Sequence, residues 1–137
     1  METIKLENDI KVFYVTAKTF PEGIAEATRD LHALFPFSPE RKIFGLSRPE
    51  NNDKIVYRAA AEELQPGEAE KFNCETLLIK KGNYISLDIN DFRKDIMSID
   101  RAFKQLLKHP NLDPQGFCVE WYASDKEAVR CMIRLNE

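Results

Sequence analysis

Ile24-Ala-Glu-Ala-Thr-Arg-Asp-Leu-His-Ala-Leu-Phe35 and Ile96-Met-Ser-Ile-Asp-Arg-Ala-Phe-Lys-Gln-Leu-Leu107 carry one apolar pattern twice, 72 residues apart. In the first, Ile24, Ala27, Thr28, Leu31, Leu34 and Phe35 recur at the three- and four-residue spacing that lines up along one side of a helix. In the second, Ile96, Ile99, Phe103, Leu106 and Leu107 do the same, with Phe92 extending the stripe upstream. Pro36 and Pro39 close the first segment, and Pro110 and Pro114 the second, because proline lacks the amide a helix interior requires. Asn90 is placed to cap the second helix.

The same offset holds outside the helices. Phe13, Val15 and Ala17 map onto Ile85, Leu87 and Ile89, and Asp53-Lys54 with Arg58 maps onto Asp125-Lys126 with Arg130. β-Branched and aromatic residues mark strands over 10–17, 42–47, 54–63, 74–89 (interrupted at Lys80-Lys-Gly-Asn), 117–122 and 128–135. Pro49-Glu-Asn-Asn-Asp and Ala123-Ser-Asp-Lys are turns by composition, and Gln65-Pro-Gly-Glu-Ala-Glu is a polar loop. The expectation is an α+β fold: two β-α-β-β units, about 5–64 and 74–136, related by a pseudo-twofold axis within one domain over 1–137. The sheet is mainly antiparallel, with two long helices on one face. Neither unit can close a core alone, so their strands must join. Leu31, Phe35, Phe103, Leu106, Val119 and Ile133 form the expected core.

Gly116-Phe-Cys-Val-Glu-Trp-Tyr122 is the chemically unusual strand. Alternation separates Phe117, Val119 and Trp121 from Cys118, Glu120 and Tyr122. The last strand alternates Val129, Cys131, Ile133 and Leu135 against Arg130, Met132 and Arg134. If the two apolar sets share the helix-covered face, the hairpin loop between them has an odd number of residues. Glu120 then comes near Arg130 on the helix-free face, with Tyr14, Tyr84, Tyr122, Met132 and Cys118. Tyr57 and Trp121 fall on the core side. Three tyrosines around a carboxylate suit a small cationic ligand. Alternation alone also allows a solvated Glu120–Arg130 pair, worth little at a surface.

The bulk numbers exclude other classes. Lys+Arg 20 against Asp+Glu 23 gives a net charge of −3, without the basic footprint that nucleic acid demands. No apolar run reaches the length of a membrane span, and Met-Glu-Thr-Ile-Lys is no signal peptide, which points to the cytoplasm. Cys74, Cys118 and Cys131 are an odd number without metal spacing, and His32 and His109 lack ligand partners at metal spacing. No metal or cofactor is expected.

The duplicated pattern, the Ile43-Phe-Gly-Leu segment with its hairpin through Val56-Tyr-Arg-Ala-Ala, and Gly116-x-x-x-Glu-x-Tyr122 resemble the gyrase-inhibitor-like (GyrI-like) effector-binding domain. The resemblance implies a cleft between the repeats that takes small, often cationic and aromatic molecules, with the Glu matching Glu120 inside it. Many such domains are sensors of transcription regulators. With no room for a helix-turn-helix, this chain is similar to the stand-alone members. It also implies two other activities found in stand-alone members. One is hydrolysis of reactive electrophiles by Glu and Trp side chains, in which Glu120 would be the general base. The other is gyrase inhibition through a protein partner. A non-catalytic binding module is the better fit, since no nucleophile–base constellation accompanies Glu120.

Overall fold

The computed structural model describes residues 1–50 and 52–136; Asn51, in the expected turn at 49–53, lies outside them. The strands are β1 (Glu2–Leu6), β2 (Ile10–Thr16), β3 (Ile43–Glu50), β4 (Lys54–Glu62), β5 (Glu75–Ile79), β6 (Gly82–Asn90), β7 (Cys118–Tyr122) and β8 (Ala128–Arg134). The helices are α1 (Ile24–His32), α2 (Glu68–Lys71, overlapping the expected polar loop) and α3 (Ser98–Leu106). All strands join one antiparallel sheet in the order β1-β6-β8-β7-β3-β4-β2-β5.

That order is symmetric about the β7–β3 junction. β2, β3 and β4 stand on one side as β6, β7 and β8 stand on the other, with a pseudo-twofold axis between them. The outermost strands are exchanged: β1 precedes β2 but pairs with β6, while β5 precedes β6 but pairs with β2. Only Lys80 and Lys81 separate β5, at one edge, from β6, beside the other edge. So short a connection forces the sheet to curl until its ends approach. Gly82 makes the turn possible with φ 134°, and a Cβ there would sit 2.9 Å from the Arg134 guanidinium.

The two longer helices, α1 and α3, pack on the same, convex face. α1 covers Phe13, Tyr57, Ala59 and Ala61, and α3 covers Ile85, Val129, Cys131 and Ile133. The expected core is buried, from Leu31 at 0% exposure to Phe103 at 9%. The stripes end sooner than their periodicity suggests. Residues 92–94 form a single 3-10 turn, α3 starts only at Ser98, and Ile96 and Leu107 are exposed. Asn90 ends β6 instead of capping a helix; Met97 takes the N-cap position, without a side-chain cap bond. Arg41 braces the α1 side. It lies over the Phe35 ring at 4.6 Å and pairs with Glu68 at 2.8 Å, which holds the Glu68 carboxyl at about 2.

The inside of the curl is a second apolar layer. Val12, Phe44, Leu46, Ala60 and Met132 are at most 1% exposed there. The helix-free face is therefore largely core, not one open concave ligand surface as expected from its tyrosines.

β7 is where the sequence pattern misleads. Leu46 stands opposite Arg58, and Trp121 opposite Arg130. Arg58 to Arg130 is a step of 72, but Leu46 to Trp121 is a step of 75. The extra three residues invert the parity of β7 relative to the rest of the repeat. Six residues, an even number, separate the last paired positions, Tyr122 and Val129. Glu120 consequently stands opposite Cys131, not near Arg130, and faces the helices.

Candidate functional site

The β7 shift makes Gly45 the symmetry counterpart of Glu120, and the two stand directly opposite each other in the β3–β7 pair. The pseudo-twofold axis passes between them. One half supplies a carboxylate and the other a residue with no side chain. A Cβ on Gly45 would lie 3.0 Å from Glu120 Oε1 and inside contact distance of the Tyr57 hydroxyl. Gly45→Ala is thus expected to push both groups off the axis and to cost about 1–3 kcal/mol of stability, the usual range for overpacking. Denaturant unfolding checks this; an unchanged midpoint would mean the three groups are not in contact.

The Tyr122 hydroxyl donates a hydrogen bond to Glu120 Oε1, and Tyr57 interacts in turn with Tyr122 and Thr28 of α1. Burial raises the Glu120 pKa, and the Tyr122 bond offsets this only in part. Burial, then the negative Glu120 nearby, pushes both phenols up as well. Cys118 and Cys131, on the same face, are pushed up to about 11 and about 12, so neither is a thiolate at neutral pH.

Above this cluster a groove of about 390 Å³ runs between α1 and the β7–β8 hairpin, with Tyr57 and Tyr122 in its lining. The volume falls within the usual range for small-ligand sites. The walls are aromatic and aliphatic. Phe92 meets Tyr122 edge-on at 5.6 Å, and Leu31 and Phe35 close the α1 side, while Phe20, outside the lining, stacks on Tyr57 at 6.4 Å. The lining also holds cations. Arg93 pairs with Glu127 at 3.3 Å, Arg41 with Glu68, and Lys126 is exposed. Glu120 does not itself line the groove; it lies beneath Tyr122, which does.

The structure divides the residues that sequence reasoning grouped. Glu120, Tyr122 and Cys118 share the convex face. Tyr14, Tyr84, Arg130 and Met132 lie on the opposite one. The Tyr14 hydroxyl donates to Glu75 at 2.9 Å, and Arg58 covers its ring at 5.2 Å. Tyr84 is buried and donates to the Lys80 carbonyl at 2.5 Å. Arg130 pairs with Asp88 at 2.8 Å, and Met132 is core. Trp121 packs on Phe44 at 5.3 Å, away from Glu120. Tyr57 is in the core as expected, at 3% exposure, and its edge also lines the groove, as do Phe92 and Thr28. The signal for Tyr57 was present in Gly45: a glycine in mid-strand marks a place where another group comes close. Among the described residues no cluster of His, Cys, Asp and Glu is placed to hold a metal, and no helix is long and apolar enough to cross a membrane.

No protein-family model matches the chain, and no curated protein matches it. Solved structures do share the fold. An integron cassette protein from the mobile metagenome of Vibrio cholerae superposes with a TM-score of 0.68 at 12% identity, covering 98% of this chain and 95% of its own. SAV2435, solved bound to tetraphenylphosphonium, gives 0.63 at 12% identity over 98% and 93%. A hydrolase from Listeria innocua gives 0.58 at 10% identity over 98% and 91%.

Proposed function

We propose that this chain is a GyrI-like effector-binding domain that senses or sequesters a lipophilic aromatic cation taken in the groove over Glu120. The observation that carries this is the desolvated carboxylate on the pseudo-twofold axis, roofed by Tyr57 and Tyr122. A buried carboxylate with a raised pKa gains from any cation brought above it. The aromatic walls supply ring faces that attract the same charge. Such a ligand displaces water from the groove and lets Glu120 ionise without being solvated. That one structural neighbour holds tetraphenylphosphonium supports this ligand class.

The test is a pair of probes of one shape and opposite charge. Tetraphenylphosphonium is expected to bind in isothermal titration, and tetraphenylborate to bind at least tenfold more weakly, about 1.4 kcal/mol. Equal affinities would show that the groove selects for shape and greasiness alone.

A second reading, hydrolysis of a reactive electrophile with Glu120 as general base, draws on the same raised pKa and on the hydrolase neighbour. It differs in outcome: a bound electrophile is recovered with one water added, and Glu120→Gln abolishes that conversion.

A further inference from the structure

We infer that the inside of the curled sheet opens into a second ligand site, for a small amphipathic anion. It lies on the face of the sheet opposite the Glu120 groove. The opening is a cavity of about 250 Å³ between the end of β5, the start of β6 and the segment leading into β7. Its floor is apolar and buried. Ile79, Val119 and Tyr84 are each 2% exposed, and Phe117 forms a side wall. Its rim carries three cations, Arg48, Lys80 and Arg134, against one carboxylate, Asp113.

The roles of the rim residues differ. Arg134 is held in place: its Nε donates to the Lys81 carbonyl at 2.9 Å, and Nη1 lies 3.3 Å from Asp113 Oδ2. Arg48 is held equally well. Its Nε donates to Glu50 at 3.0 Å, Nη1 donates to the Gln115 carbonyl at 2.7 Å, and the guanidinium lies 4.1 Å over the Phe117 ring. Glu50 is shared with Arg58, so it does not neutralise Arg48 fully. Two guanidinium groups are thus fixed around an apolar hole before any ligand arrives, which removes much of the ordering cost of binding. Lys80 is exposed and makes no ion pair or side-chain hydrogen bond among the described residues, and it is free to swing onto a bound anion. The pattern of greasy floor and cationic rim fits an aryl or short alkyl carboxylate, sulfonate or phosphate. The volume limits the apolar part to about one or two fused rings. The two faces of the sheet would then select opposite charges, cation over Glu120 and anion within the curl.

Naphthalene-2-sulfonate and 2-naphthyltrimethylammonium share a body and differ in charge. With methyl-labelled protein, the sulfonate is expected to move the Ile79 and Val119 methyl signals along a saturable curve, and the ammonium to move them little. Lys80→Glu should weaken sulfonate binding by about fivefold or more, because it replaces an attraction at the rim by a repulsion. Glu120→Gln should leave it unchanged. The inference is overturned if the sulfonate leaves both methyls in place, if the two probes move them equally, or if Lys80→Glu has no effect. An exposed side chain without a partner can be changed without unfolding the protein, which circular dichroism verifies.

Discussion

Phe103→Ala is expected to remove about 3–5 kcal/mol of stability, a large share of the roughly 5–15 kcal/mol that holds a typical domain together. Phe103 lies where α3 packs on the sheet, over β6 and β8, in one cluster with Ile85, Cys131 and Ile133. The ring cannot be replaced by collapse from the solvent side, because α3 has just nine residues and its flanking apolar residues, Ile96 and Leu107, already point outward. Truncation therefore leaves a cavity under the helix instead of a repacked layer. Urea unfolding measures the loss. Should the alanine variant not fold at all, Phe103→Leu provides a milder step on the same scale. A loss below about 1 kcal/mol for alanine would place that helix face outside the core.

Glu120→Gln is expected to weaken binding of tetraphenylphosphonium by about 1.5–3 kcal/mol, or roughly 10- to 150-fold. The amide keeps the shape of the side chain and its contact with Tyr122 but carries no charge. The same substitution should stabilise the free protein near neutral pH. Because burial raises the carboxyl's folded pKa above its reference of 4.5, this group's stability contribution is full below that value and is lost as pH rises through the folded pKa. The glutamine variant has no such loss, so its melting temperature should exceed the wild type's at pH 8 and match it near pH 4. Weaker binding together with higher stability separates loss of the ligand's partner from general damage. A variant less stable at every pH, or one with unchanged affinity, would place the charge elsewhere.

The helices were legible because 3.6-residue periodicity is a local property, and Leu31 and Phe103 landed where their stripes put them. The join between halves followed from the duplication, since neither could bury its own sheet. The pocket was legible only in part. Tyr122 lines the groove, but the face of Glu120 was inverted by three residues: β7 follows β3 by 75 positions while its neighbours follow by 72. Every residue assigned from the other strands alternated as expected, so a single phase error on β7 paired Glu120 with Tyr14 and Tyr84 instead of Tyr57. The apolar Phe117, Val119 and Trp121 invited that error. A strand with a greasy side normally turns it toward helices, whereas here the curl supplies a second core for it. The exchange of β1 and β5 was not legible, because strand partners distant in sequence leave no periodic trace.

The ionisation of Glu120 itself tests the cation site most directly. Its carboxyl carbon can be followed by NMR through a pH titration, assigned by comparison with Glu120→Gln, with and without saturating tetraphenylphosphonium. A cation seated over the carboxylate favours the charged form, so the titration midpoint should begin above 4.5 in the free protein and fall when the phosphonium binds. A midpoint that stays where it was while the phosphonium saturates the protein would contradict a cation site built on Glu120.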